Sequence, residues 1–122
     1  MHGANNYPAH KPQSTLDIPL PDNTTDDFYL HTLRKALATI KAAFKPNFIF
    51  YQSGVDVLQS DKLGKLALSL EGCKERDRLV LQFAKDYDIP LVACMGGGYS
   101  ANINLIIHAH SNTYKLAQEI FF

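Results

Sequence analysis

Apolar residues first recur at helical spacing after Thr24-Thr25-Asp26-Asp27, where Leu30, Leu33, Leu37, Ile40 and Phe44 lie three or four positions apart. That period gathers them on one side of a helix. A Thr followed three places on by an acid marks the start, with the Thr side chain as cap, and Pro46 stops it. Phe48-Ile49-Phe50-Tyr51 then forms a continuous apolar run, short enough for a strand buried on both faces. A polar loop from Gln52 to Lys65 separates it from a second helical stretch, Gly72 to Tyr87, which sets Leu79, Val80, Phe83, Ala84 and Tyr87 on one side. Leu91 to Met95 reads as a second buried strand. Asn102 to Glu119 reads as a third helix that buries Leu105, Ile106, Ala109, Leu116 and Ala117.

Residues 1–23 are different in kind. Pro8, Pro12, Pro19 and Pro21, with Asn5, Asn6, Asp22 and Asn23, imply loop and extended chain with one short strand between Leu16 and Leu20. From residue 24 to 122 the order is helix, strand, helix, strand, helix. Strands alternating with helices of this length imply an α/β domain, a parallel sheet with crossover helices. Ligands in such sheets bind beyond the carboxyl ends of the strands, and the two most informative loops, 52–65 and 96–100, both fall there.

The length of 122 residues accommodates one modest domain. Lys and Arg number 12 and so do Asp and Glu, leaving no net charge, and no basic patch is visible, which argues against direct binding of DNA or RNA. The two cysteines, Cys73 and Cys94, lack zinc-ligand spacing. Cys94 lies in an apolar run and reads as a small core residue. A disulfide framework is not expected, which suits a reducing compartment. No apolar stretch approaches the roughly 20 residues of a membrane span, and no basic-then-apolar leader opens the chain. The expectation is a soluble, cytoplasmic protein.

Two segments carry chemistry. In "YQSGVDVLQSDKLG", residues 51–64, Asp56 stands just past a strand and Asp61 precedes a Lys-Leu-Gly turn. A carboxylate at a strand end suits metal ligation or acid–base work, and equally suits bonding to loop backbone N–H groups; Asp61 better fits the loop role. In "MGGGYS", residues 95–100, three glycines permit positive φ and close approach to the backbone. The stretch matches neither phosphate-binding glycine pattern, which disfavours a nucleotide site; a flexible connection with a packed Tyr is the alternative.

Taken together, Ser53-Gly54-Val55-Asp56, Asp61-Lys62-Leu63-Gly64 and Gly96-Gly97-Gly98-Tyr99 resemble the histone deacetylase family, zinc amidohydrolases of the arginase/deacetylase fold. "DIPLPDNT" and "YLHTL" resemble that family's preceding segment, and "EGCKERDR" is similar to its bacterial class IV-like branch. The resemblance covers essentially the whole chain and implies part of a three-layer α/β/α domain. It implies that Asp56 is a zinc ligand and that Tyr99 hydrogen-bonds the scissile carbonyl and its oxyanion. It further implies that Gly97 and Gly98, with Leu63 and Tyr7, line the tunnel for an acyl-lysine or related small amide.

Against the family's pattern, no Asp has a His two places on, and no adjacent His-His pair exists. His108 and His110 cannot share a metal, because two residues apart on a helix they point about 200° apart. His110 falls near the apolar face and His108 on the surface; His31 is expected exposed, and His2 and His10 carry no signal. The chain therefore resembles the C-terminal part of a deacetylase, inactive alone and completed by an N-terminal half or by self-association that covers exposed apolar surface. The alternative is a non-catalytic module that keeps the tunnel wall.

Overall fold

A computed structural model describes all 122 residues. Two short strands, β1 (His2–Gly3) and β2 (Pro19–Leu20), pair in parallel and bring the proline-rich opening back onto the domain. Helix α1 (Asp26–Ala43) leads to strand β3 (Ile49–Gln52), helix α2 (Leu70–Asp86), strand β4 (Leu91–Cys94) and helix α3 (Ile103–Phe121). Strands β3 and β4 pair in parallel, Ile49 opposite Leu91 through Gln52 opposite Cys94, so α2 is the crossover the order of elements predicts. The three helices and the strands β3 and β4 lie within two residues of their predicted bounds; the short strand expected between Leu16 and Leu20 is confined to Pro19–Leu20, and its partner β1 was not expected.

Helix starts differ in how they are built. Thr25 occupies the cap position of α1 without a side-chain bond, contrary to the expected Thr cap; Thr24 instead donates to Pro21 O at 2.7 Å. The first-turn carboxylate of Asp26 is recruited away, accepting from Ser69 N at 2.9 Å and Ser69 Oγ at 2.6 Å. Ser69 in turn caps α2 by accepting from Gly72 N at 2.9 Å. This chain of bonds joins the starts of α1 and α2. Asn102 caps α3 directly, accepting from the N–H groups of Asn104 and Leu105.

Two apolar clusters form the core. One gathers Leu20, Tyr29, Leu33, Leu66, Leu68 and Val80, with Tyr51 and Leu91 against it; the other gathers Val55, Leu58, Cys73 and Ala109. Leu81 and Leu116 are also fully enclosed, each such leucine contributing about 1.5–3 kcal/mol by leaving water. Cys94, expected in the core, is only half-buried; Cys73 is the enclosed cysteine.

The two central strands are not buried on both faces, which corrects the sequence expectation. Tyr51 and Leu91 meet the core, but Phe50 is 79% exposed and its partner Val92 44%. Phe48 stacks on Phe50, ring centroids 5.0 Å apart, on that open face. An unbroken apolar run records that both faces favour cover; whether a second layer supplies it is a property of the assembled sheet.

Candidate functional site

The parallel ladder does not stop at the strand ends. Ser53 N and Ser53 Oγ both donate to Cys94 O, at 2.9 and 3.0 Å, and Val55 N donates to Gly96 O at 2.9 Å. The two chemistry-bearing loops therefore leave the same carboxyl end of the sheet side by side, and Asp56 emerges next to Gly97. A Cβ on Gly97 would sit 2.8 Å from Asp56 Cβ and 2.9 Å from Asp56 N, and its φ of +69° already lies in the left-handed region. Gly64 packs equally hard from the other side, where a Cβ would fall 1.8 Å from the Asp56 carbonyl oxygen. Glycines thus enclose the Asp56 backbone on two sides, a reason for bare backbone that the sequence reading did not include.

Asp61 links the loops through its carboxylate. Oδ1 accepts from Leu63 N at 2.9 Å and Gly64 N at 2.8 Å, which builds the Lys-Leu-Gly turn. Oδ2 accepts from Tyr99 N at 2.8 Å, and Asp61 bridges Ser100 in an antiparallel contact. Burial opposes ionisation of Asp61, but the N–H groups of Gly64, Tyr99 and Leu63 outweigh it and hold its pKa below the ordinary carboxylate value. Because the folded pKa is lowered, this contribution is present at neutral pH and is lost as acid protonates the carboxylate.

Against Ser53 and Gly54, where β3 runs into the Asp56 loop, lies a charged network with no place in the apolar pattern. Arg76 is 3% exposed and Asp77 0%. The Arg76 guanidinium donates to Gly54 O at 2.6 Å and to Ser53 O at 3.2 Å, and pairs with Asp77 at 2.8 Å. The other Asp77 oxygen accepts from Thr113 Oγ1 on α3 at 2.7 Å, and the Tyr51 hydroxyl of β3 donates to Asp77 as well. Burial pushes the Tyr51 phenol far above its ordinary pKa, and the neighbouring Asp77 carboxylate adds to the effect. The network ties β3, α2 and α3 to the carbonyls of Ser53 and Gly54, three and two residues ahead of Asp56. A signal existed: Cys73, Asp77, Val80 and Ala84 share one helical stripe, with Arg76 beside it.

Of the other expected positions, Tyr99 is 55% exposed and Leu63 62%, both at the mouth of the loops; Tyr7 is 95% exposed on the turn after β1, a neighbour of Asn6, whose side chain accepts from Lys65 N at 3.0 Å. His31 and His108 are exposed and His110 is buried, as their spacing predicts. His110 lies under the glycine loop, its Nε2 3.8 Å from where a Gly98 Cβ would be, and its Nδ1 has no hydrogen-bond partner. No three His, Cys, Asp or Glu side chains converge in a way that could hold a metal ion. The donors of this chain alone therefore do not fit a catalytic zinc, which takes three protein ligands. Cys73, enclosed with Val55, Leu58 and Ala109, has its thiol pKa pushed up to about 11 by burial. A thiol reagent at neutral pH should therefore label Cys94 and spare Cys73 until denaturant is added; rapid native labelling of Cys73, followed by mass spectrometry, would contradict this.

Two parallel strands joined by a crossover helix, with an acid loop and a glycine–tyrosine loop knitted together at their carboxyl end, define an α/β domain with its candidate site there. Residues 2–114 match the histone deacetylase domain, and the chain belongs to that family. Across 99% of its length it is 37% identical to an uncharacterised protein of Picosynechococcus sp., of which it covers 40%. Over 67% of its length it is 39% identical to histone deacetylase 2 of Arabidopsis thaliana, covering 21% of that protein. In structure it resembles the acetylpolyamine aminohydrolase of Burkholderia pseudomallei, with a TM-score of 0.79 over 98% of this chain and 36% of that one, at 19% identity. The chain thus spans less than half the length of these relatives. No helix is long and apolar enough to cross a membrane.

Proposed function

We propose that this chain is the C-terminal portion of a zinc-dependent, deacetylase-type amidohydrolase acting on an acyl-lysine or a related small amide. The observation that carries the reading is the knitting of the Asp56 and Tyr99 loops at one end of the β3–β4 ladder. Asp56 supplies one ligand of a zinc site whose remaining ligands come from outside this chain. Tyr99 offers a hydroxyl donor at the mouth of the loops, suited to an amide oxygen that gains negative charge when its carbon is attacked. Gly97 and Gly98 let a thin acyl chain pass close to the backbone, with the exposed Leu63 side chain, and more remotely Tyr7, offering apolar contact. A cytoplasmic setting belongs to the same reading.

The isolated chain should show no turnover of an acetyl-lysine peptide, with or without added zinc, because one carboxylate cannot hold a catalytic metal. Joining it covalently to an upstream segment of a close relative, one that carries an Asp-x-His loop and an adjacent His-His pair, should produce zinc binding and turnover. Covalent linkage is preferred to mixing because it raises effective concentration. Turnover by the isolated chain that Asp56→Ala abolishes would overturn the partial-site reading. A folded, zinc-loaded joined protein without activity on any acylated amine would overturn the deacetylase reading.

A further inference from the structure

We propose that Asp61 is a positioning residue that sets where Tyr99 stands relative to Asp56, an inference that rests on the deacetylase reading for its effect on catalysis. The turn acid is more than a local device. One of its oxygens serves the turn at Leu63 and Gly64, while the other crosses 38 positions of sequence to the N–H of Tyr99. Tyr99 is more than half exposed, so its side chain is not locked by packing. The preceding Gly97 and Gly98 both have positive φ, 69° and 109°, and glycines carry the largest backbone freedom. The Asp61 carboxylate therefore fixes the backbone of Tyr99 itself, at the end of a segment with little stiffness of its own. The same turn packs Gly64 on the Asp56 carbonyl. One side chain thus references both functional residues to a common frame. A donor aimed at a developing charge needs that frame, since small misplacements of reacting groups cost large factors in rate.

The two oxygens make the idea separable by experiment. Asp61→Asn keeps one acceptor for the turn and presents an amide N–H₂ where Tyr99 N needs an acceptor; Asp61→Ala removes both. Amide hydrogen exchange followed by NMR on the 122-residue chain is the direct readout. In Asp61→Asn the Tyr99 amide should exchange about tenfold faster or more, with the Leu63 and Gly64 amides near their parent rates. In Asp61→Ala all three should accelerate, and the interiors of α2 and α3 should not. Unchanged Tyr99 exchange in Asp61→Ala overturns the proposal, and so does a uniform acceleration through α2 and α3, which marks general loss of stability. In the joined protein, Asp61→Asn should lower kcat about 10–100-fold with zinc content and KM retained. A kcat equal to the parent's, with the Tyr99 amide freed, overturns the positioning role. If the zinc-loaded joined parent is itself inactive, the deacetylase reading fails while the exchange result still decides whether Asp61 holds Tyr99.

Discussion

Asp77→Ala is expected to cost the chain about 3–5 kcal/mol of stability, the range for removing one partner of a buried ion pair. Against a total of roughly 5–15 kcal/mol for a domain, that leaves much of the variant unfolded in mild denaturant. The loss has three sources. The Arg76 guanidinium, almost fully enclosed, is left without a counter-charge. The hydroxyls of Tyr51 and Thr113 each lose an acceptor. The carbonyls of Ser53 and Gly54 lose the alignment of the group that donates to them. Urea unfolding followed by circular dichroism measures the effect. Arg76→Met placed on the Asp77→Ala background should recover part of the loss, because it removes the stranded charge, although it leaves the two carbonyls unpaired. Strictly additive losses in that cycle, or an Asp77→Ala loss under 1 kcal/mol, would show that the pair is not a coupled support for the Ser53–Gly54 backbone that leads to Asp56.

The second large effect belongs to the joined protein. Asp56→Ala should abolish zinc retention and turnover together, since it deletes a proposed metal ligand. Tyr99→Phe should keep zinc and fold, because only an exposed hydroxyl is removed. Its kcat should fall about 10²–10³-fold with little change in KM, the pattern of a donor used in the transition state. Metal analysis of each purified variant alongside steady-state kinetics separates the two roles. A Tyr99→Phe enzyme with parent kcat would reduce Tyr99 to a surface residue of the loop. An Asp56→Ala enzyme that keeps zinc would place the ligands elsewhere.

The open face of the β3–β4 pair bears on both experiments. Phe48, Phe50 and Val92 stand exposed there, with Ile103 and Ile107 of α3 also in solvent. Such area favours association, so concentration dependence should be checked before any unfolding curve of the isolated chain is read as two-state.

How much was legible in advance differs from residue to residue. Leu30, Leu33 and Leu37 announced α1 because a 3.6-residue period is a property of the chain itself. The strands β3 and β4 were announced by apolar runs bounded by turn residues, and their parallel pairing followed from an intervening helix that only a crossover accommodates. The turn at Asp61 was readable because the N–H groups that donate to its carboxylate lie two and three residues away. Asp56 and Tyr99 were readable as special points from their family-like segments, and their common end of the sheet from the order of elements.

Other features depended on partners far along the chain, and no local pattern carries that information. Asp77 sits on an apolar stripe that spacing could have flagged, with Arg76 beside it, but their partners Tyr51, Ser53, Gly54 and Thr113 lie 22 to 36 positions away and meet only when β3, α2 and α3 pack. The exposure of Phe50 was likewise invisible, since an apolar run is the same whether one face or two are covered. The hold of Asp61 on Tyr99 spans 38 positions and exists because the ladder continues through Ser53 and Val55, bringing the loops together. Sequence by itself determined the elements, their order and the residues with chemical potential, because those follow from local backbone preference and period. Tertiary structure alone decided which polar groups share a buried network and how the two loops are locked, because hydrogen bonds between distant residues form only once the sheet register has set their distances.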